Sequence, residues 1–161
     1  MNTRDVAETL STLCSELVNG VPESGGFVLN RGDKGLLASL DKISAADASV
    51  VHDGGASIAA HVEHVRYGLS LMNRWSAGEN PFADANWAES WEKISVNESE
   101  WAERKAALAT ACTQWLGTLG TPRDVNRLEM NGMFGSVAHI AYHLGAMRQM
   151  DRRIKGPPAN D

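Results

Sequence analysis

The stretch SVAHIAYHLGAMRQM, residues 136–150, decides the fold that this sequence predicts. Its apolar residues recur at helical spacing, and its two histidines, His139 and His143, are four residues apart. Because an α-helix turns once in about 3.6 residues, both side chains lie on the same face. At about 100° per residue, His143 falls inside the apolar stripe and His139 falls at its edge. The stretch therefore predicts a packed helix with an HxxxH pair on its inner face.

A second histidine-bearing run, SIAAHVEHVRYGLSLMNRW at residues 57–75, predicts another long helix. Five apolar residues share one sector of that helix: Ile58, Val62, Val65, Leu69 and Met72. His61 lies about 60° from the centre of this sector, and His64 lies about 120° from it. We therefore expect His61 to point inward or half inward, and His64 to point towards solvent or a neighbouring element. The helix phase favours His61 as the partner of the HxxxH pair.

The remaining apolar pattern predicts two more long helices and several short ones. These two long helices are expected at residues 3–18 and from Asn97 or Ser99 to about 119, and the helix with the HxxxH pair is expected to run from about 130 to 155. Short helices are expected at 33–42, after Ser44, and within 82–94, where Trp87 and Trp91 anchor the connection. Since no period-2 strand of convincing length is present, the sequence predicts an all-α bundle of four main helices. Residues 1–156 are expected to form a single domain, and residues 157–161 a disordered tail.

Composition and charge narrow the classes of function. The chain has 161 residues, of which 43% are hydrophobic and 22% charged, and this balance allows a real core. A net charge of −5 without a basic run argues against nucleic-acid binding, and no apolar stretch is long enough to span a membrane. The isolated Cys14 and Cys112 indicate buried free thiols in a reducing cytoplasm. Motifs for nucleotide phosphates, dinucleotides and serine hydrolases are absent.

Two interpretations of the histidines remain open from spacing alone. A histidine on an apolar face is commonly a core residue with hydrogen-bonded ring nitrogens. Burial of several imidazoles is costly without a shared partner, however, and a divalent metal would supply one. Three protein ligands leave a metal with open positions, which is the arrangement of catalytic sites. Zinc, nickel, iron and manganese all accept imidazole, so the histidines do not choose among these metals.

Three stretches resemble the DinB-like superfamily of metal-dependent four-helix-bundle proteins. They are NRGDKGLLASLDKIS at 30–44, AAHVEHVRYGLSLMNRW at 59–75 and AHIAYHLGAMRQM at 138–150. The resemblance implies an up-down-down-up bundle, with short helices in its connections, and a divalent metal held by His61, His139 and His143. Zinc and nickel are the first candidates for that metal. His64 is the rival for the first ligand position, and a contribution from His52 stays open. The family often has Gly-Gln after the pair, where this chain has Gly145-Ala146.

The resemblance implies a metal-dependent hydrolase or a transferase of a low-molecular-weight thiol, in either case a homodimer that acts on a small molecule. The sequence identifies no catalytic residue beyond the metal ligands. Glu63 and Arg66 are expected at the surface or at the mouth of a pocket, and Ser136 either lines that pocket or packs. The alternative is a non-enzymatic, dimeric binding or stress-associated bundle with a structural or vestigial metal site. Its five tryptophans would serve a dimer interface as well as a pocket.

Overall fold

The computed structural model describes residues 3–51 and 54–159, and this part of the chain is all-helical. Its α-helices are α1 (Thr3–Asn19), α2 (Gly35–Leu40), α3 (Ala45–Ala48), α4 (Ile58–Ser76), α5 (Glu98–Leu119) and α6 (Arg127–Met150). Single 3-10 turns lie at Pro81–Ala83, Glu89–Trp91 and Arg152–Ile154. Since the described ranges contain no β-strand, the prediction of an all-α fold is confirmed.

Polar side chains cap the N-terminal ends of α4 and α5. Ser57 caps α4, and its Oγ accepts a hydrogen bond from the Ala60 N–H at 3.2 Å. Asn97 caps α5, and its Oδ1 accepts from the Glu100 N–H at 3.0 Å while the Glu100 carboxylate accepts from the Asn97 N–H. Both caps satisfy backbone donors that a helix start leaves unpaired. Of the two predicted starts of α5, Asn97 and Ser99, the structure shows Asn97.

The last helix differs from its prediction at both ends. It begins earlier, at Arg127, because Asn126 Oδ1 accepts a hydrogen bond from a first-turn backbone N–H at 2.9 Å. It ends at Met150 because Asp151 is extended, with φ −134° and ψ 114°. The Asp151 carboxylate accepts from the Arg153 N–H at 2.8 Å and starts a separate 3-10 turn. The predicted continuous helix to residue 155 is therefore wrong.

The four long helices share one hydrophobic core. α4 packs against α5 and α6, and α1 packs against the same two helices. Fully buried side chains come from all of them, including Leu10, Leu17, Ile58, Leu108, Trp115 and Ile140. Cys14 and Cys112 are free thiols inside this core, as predicted, and burial raises the pKa of each to about 12. Among the described helices, none has the length and apolar character needed to cross a membrane.

The connection at residues 77–97 lies along one side of α4. Ser57 Oγ donates a hydrogen bond to the Ile94 carbonyl at 2.5 Å, which holds the end of the connection at the start of α4. The Tyr67 hydroxyl accepts from the Asn86 N–H at 2.8 Å, which holds its middle. α4 is therefore covered by this connection as well as by α5 and α6.

The C-terminal end of the chain lies against the loop before α2. Asn30 Nδ2 donates to the Pro157 carbonyl at 2.8 Å. Arg148, on α6, binds the buried Asp33 carboxylate at 2.8 Å. The last residues of the predicted tail, 160 and 161, lie outside the described part of the chain.

Candidate metal centre

Four histidines converge where α4 meets α6. α4 contributes His61 and His64, and α6 contributes His139 and His143. The ring centroid of His64 is 5.0 Å from those of both His139 and His143, and the His139 and His143 centroids are 4.4 Å apart. The structure therefore brings the HxxxH pair of α6 into contact with a histidine of the second run, as the site hypothesis requires.

Three of these histidines form a group that is able to hold a metal ion. One ring nitrogen from each of His64, His139 and His143 lies within 4.8 Å of the other two. Nε2 of His139 and Nε2 of His143 are 2.9 Å apart. Imidazole nitrogens bind zinc at about 2.0–2.1 Å, so ligating nitrogens sit roughly 3.3 Å from one another in a tetrahedral site. The 2.9 Å spacing is about 0.4 Å from this value, and the three nitrogens are close enough to bind a divalent ion.

His61 lies on the other side of the His143 ring. Its Nδ1 is 2.8 Å from Nδ1 of His143, whereas His139 faces the opposite nitrogen, Nε2. His61 therefore contacts the group through Nδ1 of His143, which is not the nitrogen that faces His139. The sequence-based choice of His61 as third ligand stays a prediction, and the geometry offers His64 as the competing third ligand.

His64 points to a neighbour, which is one of the two orientations predicted for it. It is buried, with 8% of its surface exposed, because the connection at 77–97 packs against it. The Trp91 ring stacks on the His64 ring with centroids 4.1 Å apart and an interplanar angle of 25°. The Trp87 centroid lies 5.6 Å away at a tilt of 55°. The connection therefore covers the histidine group with two aromatic rings.

Ser90 fixes the tautomer of His64. The Ser90 hydroxyl donates its single proton to the Trp87 carbonyl at 2.6 Å. Its 2.7 Å contact with Nδ1 of His64 must therefore be a hydrogen bond that His64 donates. A neutral imidazole with its proton on Nδ1 has a free lone pair on Nε2, which is the form that binds a metal. Ser90 thus holds His64 in a tautomer whose Nε2 is able to bind a metal.

Burial keeps the histidine group neutral at ordinary pH. Burial, followed by the nearby rings of His139, His61 and His64, lowers the pKa of His143 to about 3. Burial, His139 and His61 lower the pKa of His64 to about 4. Burial also lowers the pKa of His61 and of His139. Since a metal competes with protons for imidazole nitrogens, these low values remove that competition near neutral pH.

Charged residues of α4 lie outside the histidine group. Glu63 accepts two hydrogen bonds from Arg66, at 2.9 and 2.6 Å, and is 3.8 Å from Arg104 Nε. Together with Ser90 and Lys93 these residues line a polar pocket of about 480 Å³. Glu63 and Arg66 therefore line this separate pocket, and their charges compensate each other.

Sequence reasoning missed the role of Ser90 and the burial of His64. The burial of His64 could have been predicted from Leu71. This apolar residue lies outside the main apolar sector and only about 20° from His64 around the helix axis. Leu71 is buried with 2% exposure, which shows that α4 has a second covered face. Ser90 carried no comparable signal, because its contact depends on the path of the connection. His52, the fifth histidine, lies outside the described residues.

Comparisons with known proteins do not assign a function to this site. No family model, no curated protein and no solved structure matches the chain.

Proposed function

We propose that this protein is a metal-dependent enzyme of the DinB-like superfamily that holds a divalent ion, zinc or nickel first, through His64, His139 and His143. The observation that carries the proposal is the convergence of three ring nitrogens within 4.8 Å in a buried group. The contacts of α1 and α4 with both α5 and α6 are those expected of the up-down-down-up bundle that the proposal includes.

The residues around the group suit a bound ion. Ser90 holds His64 with a free Nε2, as its hydrogen bonds require. A ligand bond through Nε2 of His143 leaves the proton of that ring on Nδ1, from which it donates to His61. His61 is then a positioning residue for His143, and both imidazoles keep a satisfied hydrogen bond.

A divalent ion with three protein ligands supplies an open position that activates a bound water or a bound thiol. The protein's own groups indicate whether the site favours hydrolysis by a bound water or transfer of a bound thiol. Hydrolysis needs a general base, but the Glu63 carboxylate is already bound by Arg66 at 2.6 Å. A thiol bound at the ion would lose its proton to solvent more readily than a bound water, because the pKa of a free thiol, about 8.5, is far below that of water. We therefore favour transfer of a low-molecular-weight thiol to a small electrophile over hydrolysis.

Metal content tests the proposal directly. Protein purified without chelator should contain about one equivalent of divalent metal by elemental analysis. His139→Ala should retain less than about a tenth of that content, since it removes a ligand of the central pair. Gln149→Ala, at an exposed position of the same helix, is the control and should bind metal normally. A folded wild-type protein that takes up no zinc, nickel or cobalt on titration would refute the proposal.

A second candidate function, the non-enzymatic dimer, is favoured by the outer surface of α6. Leu128, Phe134 and Tyr142 are 70%, 49% and 71% exposed, and residues 130–147 contain no Asp, Glu, Lys or Arg. An exposed apolar surface of this kind is typical of interaction sites. If this candidate is correct, light scattering should show a dimer, and Tyr142→Glu should convert it to a monomer. The protein should also consume no thiol with any electrophile. Turnover that depends on His64 would exclude it.

A further inference from the structure

An apolar groove of about 260 Å³ runs beside the histidine group, between α4 and α6. α4 lines it with Gly68, Leu69 and Met72, α6 lines it with Gly132, Gly135, Ser136 and His139, and the connection contributes Trp87. None of these lining residues is charged. This distinguishes the groove from the polar pocket on the other side of Ser90, where arginine and glutamate side chains already pair with each other.

The polar group at the base of the groove is already engaged. The Ser136 hydroxyl donates to the Met133 carbonyl at 2.7 Å and accepts from the Trp115 indole N–H at 2.8 Å. Ser136 therefore both lines the pocket and packs, which joins the two alternatives open from the sequence. The groove presents a ligand with apolar walls and the edge of the His139 ring.

Glycines keep the groove open towards the histidines. A Cβ atom at Gly68 would lie 3.4 Å from Cε1 and 3.6 Å from Nδ1 of His139, and 3.5 Å from the Trp87 ring. At Gly132 a Cβ atom would lie only 2.6 Å from the Trp75 ring, so glycine is needed there for close packing. At Gly135 a Cβ atom would meet no other atom within 4 Å. A side chain at position 135 would therefore enter open space along the groove without a clash.

We infer that this groove binds the apolar part of the substrate that the ion anchors. That substrate is then a small, uncharged, apolar molecule with a metal-binding group at one end. The inference rests on the proposed function, because the ion at the histidines anchors that group. The groove reaches the Cε1 edge of His139, next to the Nε2 atom that faces His143. A molecule anchored at an ion on Nε2 of His139 would therefore lie beside the groove.

Size and solvation define the substrate class further. At about 30 Å³ per water-sized unit, the groove of about 260 Å³ holds an apolar group of up to roughly nine non-hydrogen atoms, such as a phenyl or a short branched alkyl group. Burial of apolar surface favours binding in proportion to the area removed from water. A charged group would lose its hydration here without gaining a partner, so the groove selects against it.

Ligand binding to the cobalt(II)-loaded protein tests the inference without any turnover. Acetohydroxamate and benzohydroxamate bind metal through the same group and differ only in the apolar part, and the visible absorption of the cobalt reports binding of each. Gly135→Leu fills the groove. Gly145→Leu is the matched control, since it is exposed on the same helix and its Cβ atom also meets nothing within 4 Å. Because leucine has a higher helix propensity than glycine, neither substitution should destabilise the helix.

We expect the wild-type protein and Gly145→Leu to bind benzohydroxamate about tenfold more tightly than acetohydroxamate. In Gly135→Leu this preference should fall to less than about twofold, with cobalt content and acetohydroxamate affinity unchanged. A carboxylate in the para position of the phenyl ring should remove the wild-type preference. Equal affinities for the two hydroxamates in the wild type, or equal losses in the two variants, would overturn the groove assignment while leaving the metal site intact. Failure to bind cobalt would instead overturn the proposed function and this inference with it.

Discussion

α4 and α6 carry two histidines each but present them differently. On α6 the pair spans four residues, and both rings lie on the face that meets α4, with His143 3% exposed. On α4 the spacing is three residues. His64 joins the α6 pair, whereas His61 contacts the far nitrogen of His143. The two histidines of α4 therefore contact the α6 pair in different ways.

The surroundings of the two helices explain why one was easier to interpret. On α6 the sector that holds Ile140, His143 and Met147 faces the core, whereas the outer surface stays exposed although it also carries apolar side chains. α4 is covered by α5, by α6 and by the connection at 77–97, and its buried residues include Ala59, Ala60, His64, Gly68 and Leu71 outside the main sector. A helix phase argument finds the face towards the largest neighbour, and it fails where a long connection covers a second face.

The strongest test of this difference compares His64→Ala with His61→Ala. His64→Ala removes a proposed ligand, so its zinc affinity should fall by more than about a hundredfold. His61→Ala removes a hydrogen-bond partner of His143, and its affinity should fall by about tenfold, in the range of residues that orient ligands. Competition with a metal-responsive dye measures both constants.

The reverse order of the two effects would show that His61 is the ligand, as the resemblance implied, and that His64 supports it. His61→Asn serves as a control for the supporting role. An asparagine side chain can still accept a hydrogen bond, and it should recover part of the affinity that alanine loses.

The sequence predicted those parts of the site that depend on local periodicity. The long helices, the Asn97 cap and the proximity of His139 and His143 all follow from spacing within one element. The position of Ser90 and the covered face of His64 depend on how the connection folds back, and the two hydrogen bonds that fix it join residues 19 and 37 positions apart. No periodicity within a segment encodes such contacts, so they became visible only in the fold.

The connection itself gives the second test, because it covers α4 and leaves the outside of α6 free. Trp91→Ala removes the ring stacked on His64, and we expect it to lower the free energy of unfolding by about 2 kcal/mol. Trp87 is 41% exposed and lies farther from His64, so Trp87→Ala should cost about 1 kcal/mol. Urea unfolding of the metal-free proteins measures both. Equal, negligible losses would mean that the connection does not cover α4 in solution.

The third test uses acid to compare one buried histidine from each helix. In the folded protein the pKa values of His64 and His143 are about 4 and about 3, below the ordinary 6.5. Below pH 6.5 the unfolded chain therefore binds protons that the folded chain does not, and stability falls as the pH decreases towards these folded values.

Between pH 6.5 and pH 5.5, where carboxylates contribute little, the metal-free protein should lose about 1 kcal/mol of stability from these two side chains, since partial access of water screens their charge. His64→Gln and His143→Gln should each remove about half of this loss, because glutamine does not titrate. Urea unfolding in the presence of chelator at the two pH values measures it. If only His143→Gln reduces the loss, then His64 titrates as an exposed group, and the second covered face of α4 is absent in solution. Equal reductions would mean that a histidine outside the main apolar sector of α4 is as well shielded as one inside the stripe of α6.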